Sequence, residues 1–546
     1  MTFSLDEKNS ARNQRLTFRL PVEVRLLHAS PRPLDNAVAA AMTCYSDTLL
    51  TADDLTEDQP VRRRREVVAK RTFEAGHNTV QQHNTFQFAI TGISRYAVWS
   101  FLHNHPFYNS EQVSQRYVPV NTERVVVPPL SPEGRKIFEE AVRDAAGTYR
   151  LLGDLLYPTA ERFYRELFPG RSRALDSPPD EKGRGRRWRR EIHKRVLEVA
   201  RYVLPIAVEA HLHHTISGLT LHRYRRLMTQ VSCPEEIRSL VQGMIEEVER
   251  HDPSFFLVRH DPLPLEQTPE YRLLLRFSSE RHPFGTADDW IRDFDSMLGR
   301  YRSLLISPTK SPLSLITNAV RSVLALDSEQ LDEELAMRWA VDPAVNPNLT
   351  DSLGLAHHDP FSRALMHAHF TFLKKLSLTA DAQDQRHRCV PGTRPLLQRH
   401  FRPHRPDFIV PVLIKKCPEA EEVYRNFMRR LWNSAGRLLD LDEPLSSVLY
   451  LLPNAFPVRF CESGDLLSLR HKWSLRLCLN AQEEIWYASR DEVEQVGQLV
   501  PEIRPYLLPP CGIRFRANIA PFCPEGSGYC GIPLWRRELQ ETERIL

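Results

Sequence analysis

Two stretches of the chain repeat one another in the same order, and this repeat limits the fold more than any other feature of the sequence. Arg25-Leu-Leu-His-Ala-Ser30-Pro31 resembles Arg302-Ser-Leu-Leu-Ile-Ser307-Pro308 at an offset of 277 residues, and Asn36-Ala-Val38 matches Asn318-Ala-Val320 at 282. Gln82-His83-Asn-Thr-Phe-Gln-Phe88 matches Met366-His367-Ala-His-Phe-Thr-Phe372 at 284, and Val203-Leu-Pro205 matches Leu451-Leu-Pro453 at 248. An offset that drifts upward and then drops once predicts an insertion in the first copy. Residues 168–190, rich in Pro, Gly, Ser and Arg, are its expected place. At roughly 150 residues per domain, a chain of 546 residues allows about three to four domains or two large ones. The repeat selects two: a first domain over 1–280, a linker over 281–299 and a second domain over 300–546.

Within each copy, strand and helix signals alternate. Val22–Ala29 reads as a strand and Leu34–Tyr45 as a helix rich in good helix formers. The spacing of Phe86, Phe88 and Ile90 predicts a half-buried strand over Thr85–Ile90, followed by a helix over Ser94–Leu102. Long helices are expected over Gly134–Leu167 and Glu191–Thr215. Without regular strand-helix-strand units, the fold class is α+β, with a mixed or antiparallel sheet and long helices.

Composition narrows the functions. Hydrophobic residues at 42% and charged residues at 26% suit a globular chain with a real core. Lys and Arg exceed Asp and Glu by only 73 to 69, which argues against a dedicated nucleic-acid coat. No apolar stretch approaches the roughly 20 residues of a membrane span, and nine scattered cysteines fit reduced thiols, so a cytoplasmic protein is expected. With 21 glycines, the one suggestive pair, Gly183-Arg-Gly185, runs into Arg-Arg-Trp-Arg-Arg. Neither a dinucleotide fingerprint nor a phosphate loop is present.

The segment His103-Asn-His105-Pro-Phe-Tyr-Asn-Ser110-Glu111-Gln112-Val-Ser114-Gln-Arg116-Tyr117 gathers imidazoles, hydroxyls, an amide and a guanidinium suited to an anionic ligand; its other reading is a solvated loop. With Gly76-His77-Asn-Thr-Val-Gln-Gln-His83, Phe86-Gln-Phe-Ala-Ile90, Gly92-Ile-Ser-Arg95, Ala39-Ala-Ala-Met-Thr-Cys44-Tyr45-Ser46 and Ala200-Arg201-Tyr-Val-Leu204-Pro205, it resembles the flavin-dependent thymidylate synthases. The hallmark of that family is Arg-His-Arg, two residues, Ser, one, Asn, two, Ser, one, then Arg-Tyr.

In the first half the Arg-His-Arg falls on His103-Asn104-His105, with one extra residue before Arg116, and the family's pyrimidine-contacting arginine falls on Met228. The second half is nearly the complement. Arg386-His387-Arg388 restores the triplet, but a shortened Cys389-Val-Pro-Gly-Thr393-Arg394-Pro395 follows, and Leu449 stands where the first half has Arg201. Leu475-Arg476 followed by Ala481-Gln482-Glu-Glu-Ile485 restores the arginine lost at Met228.

The resemblance implies reductive methylation of a uracil nucleotide, dUMP to dTMP, with FAD, methylenetetrahydrofolate as carbon donor and NADPH as reductant. It implies flavin contacts at His83, His103, His105, Arg386, His387 and Arg388, and substrate contacts at Gln112, Ser114, Arg116, Tyr117 and Arg201. Arg476 is the implied catalytic group, stabilising charge on the pyrimidine. The family shares its sites among subunits, so a site drawing on both halves, in a dimer of tandem chains, is expected. The rival expectation is a paralogue that binds nucleotide or flavin without synthase activity, or that modifies another pyrimidine.

In the tail, Cys511, Cys523 and Cys530 are separated by eleven and six residues, with Pro and Gly between them. They offer three thiolate ligands for a structural zinc, against buried thiols as the alternative. The basic runs Arg62–Arg65 and Lys182–Arg195 are expected to be solvated surface. His211, His213 and His214, placed on a helix, would be split between its faces.

Overall fold

The computed structural model describes residues 17–18, 22–55, 59–116, 118, 120–176, 184–257, 260–277 and 287–545. Two tandem α+β copies are present, but the compact units do not follow the two halves of the sequence. One comprises Met1–Ala146, Leu204–Pro283 and Ser434–Leu452; the other comprises Gly147–Val203, Phe284–Asn433 and Pro453–Leu546. Of the segment expected as linker, residues 281–286 lie outside the described residues and Ala287–Leu298 is a helix. Around the expected insertion, Pro169–Asp176 and Arg184–Ala200 are helical and 177–183 lie outside the described residues.

In the first unit, β1 (Thr17–Phe18) pairs in parallel with β5 (Arg124–Val125), while β2 (Glu23–Ala29), β3 (Thr85–Ser94), β4 (Asn109–Gln112) and β6 (Glu209–Ser217) form an antiparallel sheet in the order β2-β3-β6-β4. The expected alternation holds: Phe86, Phe88 and Ile90 are fully buried. Helix Glu236–His251 presents Ile237, Leu240, Val241, Met244, Ile245 and Val248 to the same core, the three-and-four spacing of one helical face.

The second unit repeats the plan. Its strands β7 (Ser303–Pro308), β8 (His369–Ser377), β9 (Gly392–Thr393) and β10 (Pro457–Asp465) are ordered β7-β8-β10-β9, all antiparallel. Phe88 pairs with His214 in the first sheet and Phe372 with Glu462 in the second, so the repeat offsets of 284 and 248 are also offsets in register.

One expected helix is corrected. Glu191–Thr215 is helical only to Ala200; Pro205 has no N–H to carry a helix onward, and Ala210, Leu212, His214 and Ile216 then alternate inward as β6. His211 and His213 therefore share an exposed strand face, and His214 points into the core.

Each unit is completed by a tyrosine from the other half of the sequence. In the first, the Glu236 carboxylate accepts from Ser94 N at 2.9 Å, from Ser94 Oγ and from Tyr450 Oη at 3.1 Å. In the second, Glu484 accepts from Ser377 N, from Ser377 Oγ at 2.7 Å and from Tyr202 Oη at 2.6 Å. The main chain repeats the exchange: Ala207 N donates to Tyr450 O and Ala455 N donates to Tyr202 O, both at 3.0 Å.

Candidate functional site

In the first unit the chain leaves β3 through a short helix capped by Ser94 Oγ, which accepts from Ala97 N at 3.0 Å, and then reaches His103. His103 is buried and stacks on Tyr108, with centroids 4.5 Å apart and planes 3° from parallel. Tyr224 Oη bridges His105 Nε2 at 2.8 Å and His214 Nε2 at 3.0 Å. Burial, then the charges of His103 and His105, holds His214 well below the ordinary imidazole range. The two histidines standing at the arginine positions thus join an inward ring cluster, and Asn104 between them is exposed.

Farther along, Gln112 Oε1 accepts from Arg95 Nη1 at 3.1 Å, and Ser114 Oγ accepts from Arg116 N at 3.2 Å in a tight turn. Ser114 and Arg116 are half-buried, His83 is exposed at the end of the turn Asn78–His83, and Tyr117 lies outside the described residues.

The matched segment of the second unit has the opposite burial. Arg386 and Arg388 are exposed, and His387 between them is buried, pushed down to about 2 by burial and by the charges of Arg476 and Lys472. A hydrogen-bonded chain runs from there into the core. Arg476 Nη2 donates to Gln383 O at 2.8 Å, Gln383 Nε2 donates to Gln482 Oε1, and Arg201 Nη2 donates to the same oxygen at 2.9 Å. Gln482 Nε2 in turn donates to Tyr202 Oη. Arg201, from the first half of the sequence, therefore lies in the same unit as Arg476; at 3% exposure it faces this network.

Beneath the segment lies a wholly buried ionic cluster. Lys374 Nζ contacts Asp384 Oδ2 at 2.7 Å, Glu462 Oε2 at 3.0 Å and Glu492 Oε1 at 2.9 Å; Lys472 Nζ contacts Asp384 Oδ2 at 2.9 Å and also Glu462 Oε2. All five side chains are fully shielded from solvent. Burial raises Asp384, but the two lysines overcome it and hold the carboxyl well below its usual range; Glu462 stays raised by burial. At the equivalent places the first unit has Ile90, Phe101, His214, Tyr224 and Met244.

Gln383, Gln482, Lys374 and Lys472 were not anticipated as site residues. One sequence signal exists for Lys374: it occupies the third inward position of β8 after Phe370 and Phe372, where only a paired lysine is tolerated.

Cys511, Cys523 and Cys530 are half-buried, and among the described residues no group of three or more His, Cys, Asp or Glu side chains forms a ready-made metal cage. Of the basic runs, Arg65 pairs with Asp35 at 2.8 Å, and Trp188 is covered by Arg171 and Arg187 at 4.3 and 4.7 Å. Among the described residues no helix is long and apolar enough to cross a membrane.

Residues 25–254 and 304–502 each match the family described as thymidylate synthase complementing protein. A flavin-dependent thymidylate synthase from Clostridium tetani is 29% identical over 240 residues, covering 43% of this chain and 85% of its own. The enzyme of that name from Pyrococcus abyssi is 26% identical over 237 residues, covering 42% and 80%. Thymidylate synthase X from Helicobacter pylori, solved with FAD and dUMP, aligns over 43% of this chain and 97% of its own at 18% identity, with a TM-score of 0.26.

Proposed function

Because this chain belongs to the thymidylate synthase complementing protein family, whose sequence it carries twice, we propose that it is a methyltransferase of the flavin-dependent thymidylate synthase type that converts dUMP to dTMP. FAD would carry the electrons, methylenetetrahydrofolate the carbon, and NADPH would supply the reducing equivalents.

The observation that carries this reading is the inverted burial at matched positions. The second unit exposes Arg386 and Arg388 above a buried His387, whereas the first buries His103 and exposes Asn104. FAD bears a diphosphate, and guanidinium groups meet phosphate with full charge and paired donors at any working pH. The imidazoles of the first unit are turned inward instead, His103 stacked on Tyr108 and His105 Nε2 hydrogen-bonded to Tyr224 Oη. The residues of the second unit therefore fit the flavin, and those of the first do not.

When bound, the flavin supplies the redox chemistry. Arg476, steadied by the Gln383 carbonyl, is assigned to the pyrimidine, where a fixed cation stabilises negative charge developing on the ring. Arg201 and Gln482 hold that part of the site in place from within the core. Ser114 and Arg116 are assigned to the nucleotide phosphate. The Ser114 hydroxyl oxygen already accepts from Arg116 N, which leaves its proton free to donate, a binding role and not a nucleophilic one.

The purified full chain is expected to be yellow, with a flavin absorbance band, and to form dTMP from dUMP when given the folate and NADPH. The double variant Arg386→Ala/Arg388→Ala should bind FAD at least about tenfold more weakly, since each charged hydrogen bond contributes roughly 1.5–3 kcal/mol, while His103→Ala should keep its affinity. A colourless protein that takes up no added FAD refutes the reading.

A further inference from the structure

Helix Arg184–Ala200, which carries most of the basic run, and the C-terminal tail meet at a cavity within the second unit. Its volume is about 40 Å³, room for roughly three waters. Arg171, Arg195, Arg544 and Tyr164 line it, and apart from Glu191, Glu543 and the Cys530 thiol the rest of the wall is apolar. None of the residues assigned to flavin or nucleotide takes part.

Each cation is already fixed. Arg171 lies over the rings of Phe168 and Trp188, 4.4 and 4.3 Å from their centroids, and its Nη1 donates to Tyr164 Oη at 3.0 Å. Gly531, at φ 95°, packs against that guanidinium; a Cβ there would overlap Nη2, so glycine both makes the turn and leaves the arginine its place. Arg195 donates to Leu479 O at 3.2 Å and to Asn480 Oδ1 at 3.4 Å, and pairs with Glu191 at 3.3 Å. Arg544, 5% exposed, donates to Ala481 O.

The side-chain charges of the wall do not cancel. Among the described residues Arg171 forms no ion pair; it is held by a phenol, by Tyr529 O at 3.4 Å and by aromatic rings. Glu191 is matched to Arg195, and Glu543, largely exposed, lies 3.7 Å from Lys416. Tyr164 adds a donor, because its oxygen accepts from Arg171 and its proton stays free.

We propose that this cavity binds one phosphate-sized oxyanion, free or as a small phosphate monoester, held by Arg171, Arg195, Arg544 and the Tyr164 hydroxyl. Guanidinium groups present paired donors that match the oxygens of a tetrahedral anion. The volume admits the phosphate group and excludes a nucleoside, so the organic part of an ester stays outside. The anion ties the tail to two helices: Tyr164 belongs to Pro132–Leu167, Arg195 to Arg184–Ala200 and Arg544 to the tail.

The test is arginine modification of the full-length protein by butanedione, read residue by residue by mass spectrometry, with and without inorganic phosphate. Phosphate is expected to slow the reaction of Arg171 and Arg195 at least about tenfold, and chloride at the same ionic strength is not. Arg171→Gln should abolish the protection of Arg195, and Arg386→Ala/Arg388→Ala should keep it. Uridine monophosphate at equal concentration separates the sources: stronger protection than by phosphate assigns an ester, equal or weaker protection the free ion, and either supports the site. Unchanged rates at Arg171 and Arg195, equal protection by chloride, or full protection of Arg195 in a folded Arg171→Gln overturns it; the wild-type measurement needs no variant to fold.

Discussion

Replacing Lys472 by Met probes the buried cluster of the second unit. The change removes the ammonium that contacts Asp384 Oδ2 and Glu462 Oε2, leaving Lys374 alone with three carboxylates. Breaking a fully buried pair by removing one partner costs about 3–5 kcal/mol. Relief comes if Glu462, whose carboxyl burial already raises, takes up a proton. A carboxyl raised in the folded state stabilises below its unfolded value and loses that contribution as pH rises through its folded value. Removing Lys472 raises Glu462 further, so the loss extends to higher pH, by about 1.4 kcal/mol for each pH unit. Calorimetry of the full chain at pH 8 should show the transition of the second unit about 6–10 °C lower, at roughly 2 °C per kcal/mol for a large domain, and a visibly smaller drop at pH 5.5. Adding Glu462→Gln should recover much of the difference at pH 8. A shift below about 2 °C, or the same shift at both pH values, would refute the reasoning. The matched change in the first unit, Tyr224→Phe, removes a hydroxyl that bridges His105 and His214 and removes no charge, so it should cost about 1–3 kcal/mol.

Other outcomes follow from the same geometry. Burial pushes Glu236 up to about 7, so the first unit should lose up to about 3 kcal/mol between pH 4.5 and 7; urea midpoints should show this slope in the wild type and its absence in Glu236→Gln. Tyr450→Phe should weaken amide exchange protection in the first unit and Tyr202→Phe in the second, by about 1 kcal/mol or more each; the reverse assignment would contradict the exchanged tyrosines. Arg116→Ala should raise the KM for dUMP, and Arg476→Lys, which keeps charge but loses the planar fork, should lower kcat/KM at least about tenfold; unchanged kinetics in both would sink these assignments. Light scattering of the purified chain is expected to give a dimer of tandem chains, and a monomer at working concentration would remove that expectation.

The repeat was legible because the sheets were. Phe86, Phe88 and Phe370, Phe372 mark the same two inward positions, and the offset of 284 between them survives in the strand register. Two other matches slipped. Leu26 and Leu305 flank equivalent bulges, and Arg32 and Ser311 are equivalent left-handed residues before Pro33 and Pro312, which sets the true offset there at 279. The strand match at 277 is therefore two residues out and the helix match at 282 is three. A slip of two in a strand, or of nearly one turn in a helix, leaves the buried face almost unchanged, so hydrophobic pattern alone cannot detect it. The ionic cluster was hidden for another reason: its five members come from β8, β10 and three helices, and only packing reveals that they meet. The helix read through Thr215 failed because the histidines masked a period of two.

The exchanged tyrosines bear on the history of the chain. Glu236 accepts from Tyr450 and Glu484 from Tyr202, so a cut between the halves takes a buried hydrogen-bond partner from each. Each copy thereby has a structural reason to keep the other, whatever chemistry either one performs.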